Sequence, residues 1–174
     1  ENIIREIVGH RPFRPSGFVV RSEKFGEKIL VHNYGHGSSG LSLSWGSSAL
    51  AVREVSKLSN REVAVIGSGA LGLTSARLLQ DAGWNVTIYT RNMARHTTSN
   101  IAAGEFGPGG THDPNVSSQG FKDQHEQAAR ISHHAFSNLV GSKYGIRWME
   151  MHWPTDSLEK KLRPFDGSFE YLYP

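Results

Sequence analysis

The chain has 174 residues, of which 37% are hydrophobic and 20% charged, and its net charge is +3. That balance fits one globular domain with a buried core and argues against extended disorder. The absence of cysteine excludes a disulfide scaffold and a thiolate metal site. The scattered lysines and arginines form no dense basic cluster, which argues against a nucleic-acid surface.

In chain order, Gly9-His10-Arg11-Pro12-Phe13-Arg14-Pro15 is predicted extended, because Pro12 and Pro15 bracket Arg14. Residues 17–22 and 28–32 read as strands joined by a turn at Phe25-Gly26-Glu27. The run 33–40 is a glycine-rich loop. Residues 41–55 are predicted helical, with Leu41, Trp45, Ala49 and Val52 on one face, and 56–60 form a polar linker. The pattern then changes. Val63-Ala64-Val65-Ile66 is a short apolar run of the kind that becomes a buried parallel strand. A helix over 70–82 follows, with Leu71, Leu78, Leu79 and Ala82 on one stripe and Gly83 as its stop. Residues 86–89 read as a second buried strand, which completes a βαβ unit of about thirty residues. Residues 97–112 form a Thr/Ser/Gly-rich loop, and 118–140 are predicted helical with Phe121, Ala128, Ile131, Ala135 and Leu139 at helical spacing. Residues 142–174 receive no assignment.

No apolar run reaches the roughly 18 residues of a membrane span, and nothing at the N-terminus reads as a signal peptide. A cytoplasmic location is therefore expected. The start at Glu1 and the end at Pro174, just after Phe169-Glu170-Tyr171-Leu172-Tyr173, read as a piece of a longer polypeptide.

The strongest chemical signal is Gly67-Ser68-Gly69-Ala70-Leu71-Gly72, directly after one predicted strand and opening a predicted helix. Gly67 makes the tight turn, Gly69 lets backbone approach a pyrophosphate, and Gly72 lets helix and strand pack closely. The helix start offers free N–H groups and a positive dipole end to phosphates. In this context the motif predicts dinucleotide binding. The second strand ends in Ile88-Tyr89-Thr90-Arg91-Asn92, with no carboxylate for the adenosine ribose. Arg91 there suits an NADP 2′-phosphate, so a nicotinamide protein is the natural rival. His32 and His36 are four residues apart, but they lie in a glycine-rich loop without a third ligand, so no metal is expected. His133 and His134 point to different helix faces and read as surface residues, and Asp113 and Asp123 show no acid–base pairing pattern.

Ile88-Tyr89-Thr90-Arg91, then Thr97-Thr98-Ser99-Asn100-Ile101-Ala102-Ala103-Gly104, resembles the second FAD-contacting stretch of the D-amino-acid oxidase family. The stretch Arg11-Pro12-Phe13-Arg14-Pro15 and the run His32-Asn33-Tyr34-Gly35-His36-Gly37-Ser38-Ser39-Gly40-Leu41-Ser42 resemble the same family's signature near its usual C-terminus. The resemblance implies FAD as cofactor, held by Gly67, Gly69, Ala70, Leu71 and Gly72, by Arg91 and Asn92, and by Thr97, Thr98, Ser99, Ala103 and Gly104. It adds Gly37, Ser38, Ser39, Gly40, Leu41 and Ser42 at the flavin's N1/C2 edge, where N–H groups stabilise the negative charge of reduced flavin. It gives Arg11 the substrate carboxylate, which a guanidinium fork meets with two parallel hydrogen bonds.

The implied fold is α/β, a Rossmann-type FAD-binding domain whose antiparallel substrate domain is largely missing. The order of segments is exchanged relative to the family, as in a circular permutation. Residues 1–58 resemble the family's C-terminal region, 61–112 form the FAD-binding βαβ core, and 113–174 lead into an absent remainder. Ser38 and Ser39 replace a more usual Gly-rich or aromatic pair, and Gly107 stands where a polar residue near the substrate is common. The expected activity is FAD-dependent oxidation of the C–N bond of a D-amino acid or related amine. The expected partner is that small molecule, with a homodimer possible and neither nucleic acid nor membrane involved.

Overall fold

Alternating polar and β-branched residues around Gly26 fold back on themselves. In the computed structural model, which describes residues 3–4, 6–59 and 61–150, β1 (Val19–Phe25) pairs antiparallel with β2 (Lys28–Tyr34). Gly26 supplies the left-handed turn residue at φ 61°. β1 starts two residues later and ends three residues later than the sequence pattern suggests, β2 ends two residues later, and Val19 faces Tyr34 in register.

Helix α1 spans Ser44–Val55. It starts later than predicted because residues 40–43 form turns, with the Leu43 N–H donating to the Ser39 carbonyl at 2.9 Å. Its buried face also differs from the expected apolar stripe. The fully buried residues are Ser44, Gly46, Ser47, Ser48, Ala51 and Val55, while Trp45 and Ala49 are half-buried. Small side chains occupy that face because the neighbouring backbone comes very close. A Cβ on Gly46 would stand 1.8 Å from the Ala128 carbonyl oxygen.

β3 (Glu62–Ile66), α2 (Ala70–Asp81) and β4 (Asn85–Tyr89) form the βαβ unit, with Glu62 paired to Asn85 and Ile66 to Tyr89 in a parallel register. Gly83, at φ 80°, ends the helix as expected. Val55, Val65, Ala76, Leu79 and Trp84 make the core, and Val31, Val52, Leu58, Val63 and Val86 pack around it. Segments on both sides of the 56–60 linker thus share one core, and Leu58 of the linker is part of it. The strands are not buried on both faces as their apolar run suggested. Among the described residues this sheet has two strands, and Ile66 is 84% exposed and Tyr89 62% exposed.

Helix α3 (Gln119–Asn138) buries Phe121, Ala128, Ala129 and Ser132 instead of a stripe running to Leu139. The chain divides into a unit up to His133 and a second from His134 onward. In the second, Gly141 donates its N–H to the Ile146 carbonyl at 2.9 Å, and Lys143 lies 5.1 Å from the Tyr144 ring centroid. The aromatic run at 169–173 lies outside the described residues. No described helix is long and apolar enough to cross a membrane.

Candidate functional site

A cleft of about 1700 Å³ opens between the hairpin, the βαβ unit and the short helical turn of residues 98–101. Its lining unites sequence-distant residues. Gly37, Ser38, Gly40 and Leu41 share it with Gly67, Gly69, Ala70, Leu71 and Gly72, and with Thr98, Ser99 and Ala103. Arg11 also lines it. Ser39, Ser42, Arg91, Asn92, Thr97 and Gly104 do not.

The dinucleotide turn is built for close approach. Gly67 has φ 101°, and a Cβ there would meet nothing within 4 Å, so the backbone is bare to the cleft. Gly72 packs the other way, where a Cβ would lie 2.1 Å from the Gly67 carbonyl oxygen. Helix α2 begins after Gly69 with no side-chain cap from that residue and no acidic residue in its first turn. A helix start without an acidic residue beside bare backbone suits a pyrophosphate. The residues present therefore fit a dinucleotide.

Serines organise this turn. Ser99 Oγ accepts the Ala70 N–H at 2.9 Å, so Ser99 caps α2 from outside the helix as well as lining the cleft. Ser68, buried, donates to the Asn92 carbonyl at 2.7 Å and lies 3.0 Å from Thr90 Oγ1. Thr90, where an acidic residue would read ribose, is thus tied to the turn, and Arg91 and Asn92 are exposed at the strand end. Neither Ser68 nor Thr90 stood out as a site residue in the sequence, because a lone hydroxyl carries no spacing signal.

A second polar network joins the three elements around the cleft. Asn33 Nδ2 donates to Ser48 Oγ at 3.3 Å, Ser75 Oγ donates to Ser48 Oγ at 2.9 Å, and Ser48 Oγ donates to the Leu71 carbonyl at 3.3 Å. This links β2, α1 and the first turn of α2. The serines at 44, 47 and 48, at i, i+3, i+4 spacing on one helical face, were the available signal for close packing there.

The His32–Ser42 loop is held differently. His32 Nε2 lies 3.0 Å from a Glu23 carboxylate oxygen, outside good hydrogen-bond geometry, and this contact holds the Glu23 carboxyl below its usual value. His36 is 1% exposed and stacks on Phe18 with centroids 4.4 Å apart. Neither of its ring nitrogens has a hydrogen-bond partner among the described residues. Burial, then the His125 charge, pushes its pKa down to about 3. The two histidines therefore serve separate surroundings, and among the described residues no group of three His, Cys, Asp or Glu is placed to hold a metal. His133 is not a surface residue as expected. It is half-buried, with its ring 5.6 Å from Phe106.

The two arginines of the Arg-Pro stretch are also separated. Arg14 Nε donates to the Gly17 carbonyl at 3.2 Å, and its guanidinium lies 5.5 Å from the Tyr34 ring centroid. Arg11 is exposed and faces the cleft.

A βαβ unit with a bare glycine turn at its helix start defines a nucleotide-binding α/β protein. The family model described as DAO, FAD dependent oxidoreductase, matches residues 62–154, more than half of the chain, and the chain belongs to that family. FAD is accordingly its cofactor. Human D-aspartate oxidase is 47% identical over 58 residues, which is 31% of this chain and 17% of that protein. D-amino-acid oxidase of Streptomyces coelicolor is 45% identical over 47 residues, 27% of this chain and 15% of that protein. Thiamine thiazole synthase of Pyrobaculum aerophilum is 33% identical over 66 residues, 38% of this chain and 23% of that protein. The matches span less than a quarter of the length of these relatives. No solved structure matches the chain significantly.

Proposed function

We propose that this chain carries the FAD-binding part of an enzyme that oxidises the C–N bond of a D-amino acid or related amine. The observation that carries the reading is the shared cleft, lined by Gly37–Leu41 residues on one side and by the Gly67–Gly72 turn on the other. The partial likeness to D-aspartate and D-amino-acid oxidases supports the substrate class. Residues 1–58 are taken as the counterpart of the family's C-terminal region, 61–112 as the FAD-binding βαβ core of Rossmann type, and 113–174 as a lead into a substrate domain. The core shared by Val31, Val55, Val65 and Leu79 supports an exchanged order in which the two segments still pack together.

In this reading the turn at Gly67–Gly72 and the start of α2 bind the pyrophosphate, with Thr97, Thr98, Ser99, Ala103 and Gly104 along the nucleotide and Arg91 and Asn92 at the adenosine end. Gly37 and Ser39 already donate their N–H groups to the Pro12 and His36 carbonyls, so Ser38, Gly40 and Leu41, which line the cleft, would offer theirs to the flavin edge, and Arg11 orients the substrate carboxylate. Bound FAD supplies a two-electron acceptor. With the group bound, the net change would be oxidation of the amine carbon to the oxo acid with release of ammonia, dioxygen being the final two-electron acceptor and hydrogen peroxide the co-product. No side chain is asked to act as base; orientation by Arg11 and the loops carries the rate.

Arg91, exposed where a carboxylate is missing, favours a second reading, an NADP-dependent reductase. A third is a flavin-binding fragment without turnover. The purified chain mixed with FAD separates them. A visible flavin spectrum that survives desalting, with peroxide released from D-amino acids, is the expected result. A colourless protein that retains NADP carries the second reading, and a yellow protein without turnover carries the third.

A further inference from the structure

Behind the flavin-facing loop runs a strap, residues 105–111, none of which lines the cleft. Its backbone is fastened by two hydroxyls of the loop. Ser39 is 2% exposed, and its Oγ donates to the Gly107 carbonyl at 2.8 Å and is also in contact with the Gly109 carbonyl. Ser42 is 4% exposed. Its Oγ donates to the Glu105 carbonyl at 3.2 Å and accepts the Gly107 N–H at 3.0 Å. The contact leaves no room for side chains. A Cβ on Gly37 would stand 3.0 Å from the Gly110 carbonyl oxygen, and one on Gly110 would stand 2.9 Å from Ser38 Oγ. From the far side, His125 Nε2 donates to the Pro108 carbonyl at 2.8 Å. The strap is therefore pinned between the loop and α3.

Resting on the functional reading above, we propose that Ser39 and Ser42 are positioning residues and not cofactor ligands: their hydroxyls clamp the strap and so fix the aim of the loop's N–H groups at the flavin edge. Both hydroxyl protons are already given to strap carbonyls, so neither is free to donate into the cleft. Donors aimed at a developing negative charge act by being held in place beforehand. A loosened loop would still let the nucleotide bind through the Gly67–Gly72 turn, but would favour reduced flavin less.

The test uses the full chain with FAD bound. Ser39→Ala, Ser42→Ala and the conservative Ser39→Thr are compared by FAD dissociation constant, melting temperature and midpoint potential of the bound flavin. The expected result for each alanine variant is a preference for reduced over oxidised flavin that is about tenfold weaker. For a two-electron couple that is a fall of about 30 mV. FAD affinity should change less than threefold, and Ser39→Thr should restore the potential. An unmoved potential in a folded, yellow alanine variant overturns the proposal and leaves the functional reading intact. So does a loss of melting temperature and FAD affinity together at constant potential. Should Ser39→Ala fail to fold, Ser42→Ala carries the same decision. A wild-type chain that binds no FAD overturns both this proposal and the functional reading.

Discussion

Glycines line both loops that face the cleft, but their neighbours differ. At the Gly67–Gly72 turn the bare side of Gly67 looks into open space, and the helix behind it starts without a cap from its own N-cap residue. At the Gly35–Ser42 loop the bare sides look into protein. Gly35 meets the Arg14 side chain and Gly37 meets the strap, and just beyond the loop Gly46, in the first turn of α1, meets the Ala128 backbone. The same residue type therefore leaves open space in one place and admits another segment of chain in the other. Composition treats the two loops alike, and only the packing separates them.

Substitution with alanine should break that symmetry most strongly at Gly46. Its Cβ would stand 1.8 Å from a backbone oxygen that has no side chain to move. Overpacking of this kind is expected to cost at least about 3 kcal/mol. Gly46→Ala should thus lower the melting temperature sharply or abolish soluble protein, with or without FAD. Gly67→Ala meets no atom and suffers only its positive φ, a strain of about 1–2 kcal/mol. It should remain folded yet lose FAD affinity at least tenfold. Equal melting temperatures for the two variants would end the distinction between the open glycine of the Gly67–Gly72 turn and the packed glycine of α1.

The packed loop should also be the acid-sensitive one. His36 is held neutral by burial, with a pKa near 3 against an ordinary 6.5. A depressed folded-state value means that the unfolded chain binds the extra proton first. The stability His36 lends is complete above about pH 6.5 and drains away as pH falls toward 3, by at most about 1.4 kcal/mol per pH unit. His112, also lowered by burial and by His125, adds in the same direction. His36→Phe preserves the stack on Phe18 and removes the unpartnered nitrogens. Its unfolding free energy should fall less steeply between pH 6.5 and 4 than that of the parent, as read by urea melts. Parallel curves would remove His36 as the source.

Much of this was legible in the sequence, for reasons particular to each element. The βαβ unit announced itself because Gly67, Gly69 and Gly72 sit between an apolar run and a helical stripe, and each spacing has one geometric use. The hairpin was readable from Gly26, and α3 from its periodicity. The face of α1 was not. Its serines look like surface residues until the approach of α2 and α3 is known, and that approach depends on contacts between residues 86 apart, such as the Gly46 N–H donating to Ser132 Oγ at 2.7 Å. The same holds for Ser39 and Ser42. A hydroxyl in a glycine-rich loop reads as a ligand contact, and only the position of the 105–111 strap shows where its proton goes. Trp84 joined the core unheralded because it follows a helix stop and belongs to no periodic run.

The comparison sharpens at the two arginines as well. Arg11 faces the cleft while Arg14 is spent on Gly17 and Tyr34. In an active preparation, Arg11→Ala should raise KM for an amino acid at least tenfold, because a bidentate charged contact is lost, and should leave the melting temperature in place. Arg14→Ala should do the reverse and lower the melting temperature with KM little changed. An unaltered KM for Arg11→Ala would remove it from the substrate site.

The smallest effect is expected at Ser99, which tests how open the dinucleotide turn is. Its hydroxyl accepts the Ala70 N–H at 2.9 Å and is the side-chain cap that α2 receives from outside the helix. Ser99→Ala should therefore cost the FAD-free protein about 1 kcal/mol, the usual loss for a helix cap. With FAD bound the deficit should shrink, since in the proposed reading the freed N–H lies at the pyrophosphate-binding helix start and a phosphate oxygen would replace the serine. Melting curves with and without FAD measure the two values side by side. An equal loss in both states would mean that Ser99 holds the turn from behind, as Ser39 holds the other loop, and that the two loops are closer in kind than their glycines suggest.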